Sequence, residues 1–211
     1  MIRAILFDLD GTLLYTLQDI ADAMNRALVR HGLPARAVED YKFLVGNGAK
    51  VLAERAVGEN TSLTEAVLRD YMEDYSQHSL VSTRPYEGVP ETLAALRSRG
   101  IRLAVFSNKP DGDTKRVIER FFPGVFAHVQ GQRQGIPLKP DPAVPLDIAR
   151  SLGIAPEAWA YLGDSGVDMR CANRAGMRPI GALWGYRDRE ELLAGGAESL
   201  IAKPGELLQI L

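Results

Sequence analysis

Cysteine is nearly absent from this 211-residue chain: Cys171 stands alone, so no internal disulfide and no thiolate metal site can form within it. Free cysteines are usually buried, and plain packing is the expected role of this one. Histidine is scarce too, and His31, His78 and His128 are too widely spaced to suggest a metal site. A charge excess of either sign is missing: 25 Lys and Arg face 27 Asp and Glu, for a formal net charge of −2. No broad basic field exists, so neither nucleic acid nor an anionic membrane is implied as a partner. No apolar run is long enough to cross a bilayer, and Met1–Phe7 is too short for a secretory h-region. A cytoplasmic location is the default expectation. Repeats and low-complexity tracts are absent as well, and the sequence indicates no protein partner or oligomeric state.

What is present is a 46% apolar composition, ordinary for a globular protein with ample core. Ile2–Phe7, Arg102–Phe106 and Ala158–Leu162 are apolar at nearly every position, as strands buried on both faces are. Fainter strand patterns cover 125–129, 179–183 and 199–202. Helical patterns at 91–99 and 142–152 fall between strands, and alternation of this kind predicts an α/β fold, a Rossmann-like parallel sheet covered on both faces. The interval from Leu14 to Thr83 breaks the alternation. It reads as successive helices, with Leu17, Ile20, Ala21, Met24 and Leu28 at helical spacing. Seventy residues are too many for a connection, so residues 14–83 are expected to form an inserted helical cap, and residues 1–13 with 84–211 the core.

The chemistry-bearing residues stand at predicted strand ends, where open α/β sheets collect ligands. Asp8 and Asp10 follow the first strand, two apart, so an extended backbone would turn both the same way. Such a pair can supply a nucleophile, Asp8, and a general acid and base, Asp10. Gly11 permits a sharp turn and Thr12 offers two donors; both are expected at a phosphate. Ser107 and Asn108 end the second strand as a hydroxyl and amide clamp for phosphate, and Lys109 either adds charge there or faces solvent. Lys139, stiffened between Pro137 and Pro140, would offset the carboxylates and hold a phosphate oxygen. Asp164 and Asp168 follow the third strand at helical spacing. Hard oxygen ligands suit Mg²⁺, with Asp164 a direct ligand and Asp168 either direct or holding a metal-bound water. Each string alone has a plain reading as a turn, a cap or surface charge; in this order they point to magnesium-dependent phosphoryl transfer.

Asp8-Leu9-Asp10-Gly11-Thr12-Leu13, Ser107-Asn108, Lys139-Pro140 and Gly163-Asp164 through Asp168 resemble the four motifs of the haloacid dehalogenase superfamily, in its phosphatase branch. The resemblance spans essentially the whole chain, helical insertion included. It implies a phosphomonoester hydrolase working through an aspartyl phosphate, with Mg²⁺ held by the Asp8 carboxylate, the Asp10 carbonyl and Asp164. Val45–Gly48, Ser107–Pro110, Gly176-Met177 and Trp184–Tyr186 are similar to the superfamily's phosphoglycolate phosphatase group, which implies 2-phosphoglycolate, a small phosphorylated metabolite, as substrate. Relatives with similar strings act on other sugar phosphates or on pyrophosphate. Gly46, Asn47 and Gly48 form a loop whose N–H groups could face a substrate carboxylate, with Lys42, Lys50 and Arg55 as further cationic candidates. One departure is Tyr15-Thr16, where the family often has aspartate and serine, so substrate choice is open. Alternatives are a pyrophosphatase, a sugar-phosphate phosphatase or mutase, a phosphoaspartate signalling domain, and an inactive scaffold. The acid/base Asp10 and the cap speak against the last two.

Overall fold

A computed structural model describes residues 1–211. Six parallel strands form the main sheet: β1 (Ala4–Phe7), β4 (Arg102–Pro110), β5 (His128–Gln132), β6 (Trp159–Gly163), β7 (Arg178–Ala182) and β8 (Ser199–Ile201). Their order is β5-β4-β1-β6-β7-β8. The chain runs outward from β1 through β4 and β5, then returns to place β6 on the other side of β1. Strand order therefore reverses at β1, and that switch point opens a crevice beyond the carboxyl ends of β1, β4 and β6.

Period-two alternation explains the two cores. Ile5 and Phe7 face one side, where they pack with α5 (Val89–Ser98) and α6 (Asp111–Phe121) through Leu93, Leu96, Val117 and Ile118. Ala4 and Leu6 face the other, against α7 (Ala143–Ser151) and α8 (Gly166–Arg174) through Ile148, Cys171 and Ala172. Cys171 is one more packed side chain, and burial pushes its thiol up to about 12. Trp159 anchors this second core and donates its Nε1–H to the Ile154 carbonyl at 3.1 Å. Small elements complete the body: α9 (Arg189–Ala194), capped by Asp188 accepting from Glu191 N, and α10 (Leu207–Ile210).

A third core lies outside the sheet. It joins α1 (Leu17–Arg30), α2 (Tyr41–Leu44), α3 (Ala49–Val57) and α4 (Thr64–His78) through Ile20, Met24, Leu28, Leu52, Val67 and Tyr71. The two chain crossings between this unit and the sheet pair as a short antiparallel ribbon, β2 (Leu14–Tyr15) with β3 (Arg84–Pro85). Asp19, buried at the start of α1, fixes the return crossing: its carboxylate accepts from the backbone N–H groups of Val81, Ser82 and Thr83 and from the Thr83 hydroxyl.

Several element limits differ from the sequence pattern. The first strand starts at Ala4, not Ile2, and the strand expected at 125–129 starts at His128 because Phe122–Val125 closes a turn through Val125 N–H to the Phe122 carbonyl. The second strand continues four residues past Phe106, to Pro110. Gly112 does not prevent α6, since its position is exposed and nothing lies where a side chain would be. No helix is long and apolar enough to cross a membrane.

Candidate active site

Asp8, Asp164 and Asp168 are brought together at the switch point, all buried, with one carboxylate oxygen of each within 4.8 Å of the others. Three buried anions at this spacing demand compensation. One part is Lys139, whose Nζ donates to Asp8 Oδ1 at 2.6 Å and to Asp168 Oδ1 at 2.9 Å, with only 2% of its side chain exposed. Burial disfavours its charge, but Asp168 and Asp8 outweigh that and hold the ammonium above its ordinary value. The remainder is left on the carboxylates. Burial, opposed by Lys139 and reinforced by Asp168 and Asp164, holds Asp8 well above the usual carboxylate range. Burial and then the Asp168 charge push Asp164 up to about 7. A bound divalent cation would relieve both.

The donor set fits Mg²⁺, and the hydrogen bonds distinguish the three carboxylates. Asp168 is saturated: Oδ1 takes Lys139 and, at 3.4 Å, the Tyr161 hydroxyl, while Oδ2 takes the Ser165 N–H and hydroxyl in a capping box at the start of α8. Asp8 has its second oxygen free of protein donors. Each Asp164 oxygen has one, Oδ1 from the Thr12 hydroxyl at 3.2 Å and Oδ2 from Tyr186 N–H at 2.7 Å. Asp8 and Asp164 therefore retain lone pairs to hold a metal, and Asp168 spends its own on orienting Lys139 and the helix start.

Asp10 stands apart from this cluster. Its Oδ1 accepts from the Thr16 hydroxyl at 2.7 Å and from Lys109 Nζ at 2.9 Å. Lys109 is buried, not solvent-facing; 4% of its side chain is exposed, and its ammonium lies 4.6 Å from the Tyr75 ring centroid. The extension of β4 places it there: continued past Ser107, the strand carries Lys109 into the crevice with its N–H bonded to Ser107 Oγ. Thr16, not Tyr15, is the residue of the divergent pair that reaches Asp10. Tyr15 lies under the Arg84 guanidinium on the ribbon.

The turn between the two aspartates requires glycine. Gly11 has φ +85°, and a Cβ there would overlap the Asp164 carboxylate and the Tyr186 ring. Its N–H donates to the Leu14 carbonyl, and Thr12 donates N–H to Leu9 and its hydroxyl to Asp164. The donors expected from Gly11 and Thr12 at a phosphate are thus engaged within the protein, where they shape the loop and brace Asp164. Gly185 makes a second close approach against Asp164, and Trp184 Nε1 donates to the Thr12 carbonyl. The Trp184-Gly185-Tyr186 string is a buttress for both aspartate loops. Ser107 faces the crevice with its Oγ accepting from Lys109 N–H, which leaves its hydroxyl hydrogen for a ligand. Asn108 is largely spent: its Oδ1 accepts from Lys139 N–H and its Nδ2 donates to the Gly46 carbonyl.

The helical unit closes over these residues and leaves a cavity of about 70 Å³. Ile20, Val45, Gly46, Gly48, Leu52 and Tyr71 cover it from above. Asn47 instead faces an outer cleft. Lys42, Lys50 and Arg55 do not line the cavity; Lys50 lies beside Glu65, and Arg55 donates to the Phe43 and Leu44 carbonyls. Arg187, which no pattern singled out, does line it.

Known proteins are similar to this chain in sequence and fold. The family model for haloacid dehalogenase-like hydrolases matches residues 5–182. A phosphoglycolate phosphatase of Aquifex aeolicus is 31% identical over 210 residues, which cover 99% of this chain and 96% of that protein. An N-acetylmuramic acid 6-phosphate phosphatase of Pseudomonas aeruginosa is 30% identical, with 100% and 95% covered. The crystal structure of a Lactobacillus delbrueckii protein, proposed to be a phosphoglycolate phosphatase, superimposes with a TM-score of 0.91 at 30% identity, covering 97% of this chain and 96% of that one.

Proposed function

The chain belongs to the haloacid dehalogenase-like hydrolases, and from that membership we propose that it is a phosphatase hydrolysing 2-phosphoglycolate to glycolate and phosphate through an aspartyl phosphate on Asp8. The observation that carries the reading is the separation of two carboxylates in one crevice. Asp8 shares its surroundings with Asp164, Asp168 and Lys139, whereas the Asp10 carboxylate is hydrogen-bonded by Thr16 and Lys109. Distinct environments are what distinct roles require.

In this reading Asp8 attacks phosphorus, and the bond from phosphorus to the leaving oxygen breaks as Asp10 gives that oxygen its proton. Asp10, then ionised, takes a proton from the water that attacks the aspartyl phosphate, and Asp8 is released. Lys109 and Thr16 position Asp10 for both transfers. Ser107 and Lys139 hold phosphate oxygens, because positioning and electrostatics supply most of the catalysis of this transfer. When bound by Asp8, Asp164 and the Asp10 carbonyl, Mg²⁺ screens phosphate charge against the carboxylates. Residues 14–83 act as a lid that excludes water when closed and sorts leaving groups.

A cavity of about 70 Å³ beneath the helical unit is in keeping with a small leaving group such as glycolate. Phosphate release with and without Mg²⁺ tests the proposal on 2-phosphoglycolate, N-acetylmuramic acid 6-phosphate, glucose 1-phosphate, pyrophosphate and an aryl phosphate. The expected result is Mg²⁺-dependent release with the highest kcat/KM on 2-phosphoglycolate. Release from none of the monoesters would overturn the phosphatase reading, and a higher kcat/KM on a sugar phosphate would overturn the substrate.

A further inference from the structure

We propose that Arg187 is the residue that selects the leaving group, by binding a carboxylate carried on the small phosphomonoester. The proposal rests on the phosphatase reading above and adds to it the group that recognises the non-reacting end of the substrate.

Three cationic side chains line the catalytic cavity: Lys109, Lys139 and Arg187. The first two are already committed, Lys109 to Asp10 and Lys139 to Asp8 and Asp168. Arg187 is not. Its Nη2 donates to the Val45 carbonyl at 3.0 Å, and its Nε stands 3.4 Å from Glu191 Oε2. Its Nη1 is buried and has no acceptor in the protein, although only 11% of the side chain is exposed. Buried charged donors without acceptors are uncommon and costly, and where they occur they call for an explanation. Arg187 lines both the catalytic cavity and the outer cleft beside Asn47, and a guanidinium with one unpaired edge is suited to a planar carboxylate.

The glycine loop is held to the core through its carbonyls, Val45 to Arg187 and Gly46 to Asn108, so Arg187 is also the residue that fixes this loop over the cavity. The same side chain ties residue 187 of the core to residue 45 under the lid. A ligand anion on Nη1 would therefore fix the guanidinium while Nη2 holds the lid down, which couples choice of substrate to closure. The position of Arg187 follows from the buttress described above. Tyr186 N–H is bound to Asp164, so the next residue is delivered to the rim of the metal cluster.

The test compares 2-phosphoglycolate with 2-hydroxyethyl phosphate, which is similar in size but lacks the carboxylate. Calorimetry on the non-hydrolysing Asp8→Asn protein with Mg²⁺ should show 2-phosphoglycolate binding roughly 10- to 100-fold tighter, the range of one charge-assisted hydrogen-bonded contact. Adding Arg187→Met should abolish that gap, and Arg187→Lys, which keeps charge but not the fork, should retain part of it. In protein with Asp8 intact, Arg187→Met should lower the ratio of kcat/KM between the two substrates by a similar factor. No gap in the parent, a gap that survives Arg187→Met, or equal weakening of both ligands would each overturn the proposal. Arg187→Lys and Arg187→Gln decide the matter if Arg187→Met fails to fold. Binding is read without turnover, so absence of phosphate release would count against the phosphatase reading and leave the arginine to be judged by calorimetry.

Discussion

Replacing Lys139 with methionine should damage the fold and the chemistry in separable ways. The side chain is almost wholly buried and bridges Asp8 and Asp168 at 2.6 and 2.9 Å. Methionine fills similar volume but leaves two buried carboxylates facing each other, with Asp164 beside them. Breaking a buried ion pair by removing one partner costs about 3–5 kcal/mol. For a chain of this size that is a fall in Tm of roughly 6–20 °C in chelator. The loss should shrink in acid, because protonated carboxylates need no counter-charge, and grow as pH rises and they ionise. Mg²⁺ should restore part of the stability, and more for the variant than for the parent, since it supplies charge to the same cluster. Turnover should not recover. Loss of a preorganised donor at the phosphate costs about 10²–10³ in kcat. Thermal unfolding at pH 5 and pH 8, in chelator and in Mg²⁺, with phosphate release alongside, measures all of this. A Lys139→Met protein that unfolds in chelator at the parent's temperature would refute the argument, because Asp8 and Asp168 would then not be sharing that ammonium.

Further expectations concern the same cluster. Asp164 is raised from its ordinary 3.8 to about 7 by burial and by Asp168, so the metal-free fold keeps a proton that the unfolded chain gives up. Metal-free stability should fall as pH rises through that window, and the gain in Tm from Mg²⁺ should be larger at pH 8 than at pH 6; equal gains would contradict the shift. Gly11→Ala should lower stability by at least about 1 kcal/mol and weaken Mg²⁺ binding, because the backbone there has positive φ and the new Cβ meets the Asp164 carboxylate; unchanged Mg²⁺ affinity by calorimetry would count against that contact. Asp10→Asn should reduce kcat by about 10²–10⁴ while leaving Mg²⁺ affinity near that of the parent, since the side chain is outside the metal cluster; a matched loss of metal binding would mean Asp10 had been misplaced.

The sequence exposed what depends on local pattern. The apolar runs at β1, β4 and β6 mark buried parallel strands, and the residues that end them fall at one switch point because the strands are neighbours. The long helical interval marks a separate unit because it is too long for a loop. Long-range partners were not legible. Lys109 meets Asp10 across 99 residues, and Arg187 meets Val45 across 142; neither position differs locally from an ordinary surface cation. A strand continuing beyond Ser107 would have pointed Lys109 inward, but Pro110 and Gly112 favour an earlier end. The bond from Thr12 to Asp164 was hidden for a related reason. The hydroxyl is taken by Asp164, which follows Thr12 by 152 residues and approaches only once β1 and β6 pair.

The most direct test of the account is to locate the phosphoryl group during turnover. Radiolabelled phosphomonoester, mixed with enzyme and Mg²⁺ and quenched in acid within one turnover, should leave an alkali-labile label on the peptide containing Asp8. Phosphate released at full rate with no label on that peptide, or with label on another residue, would contradict it.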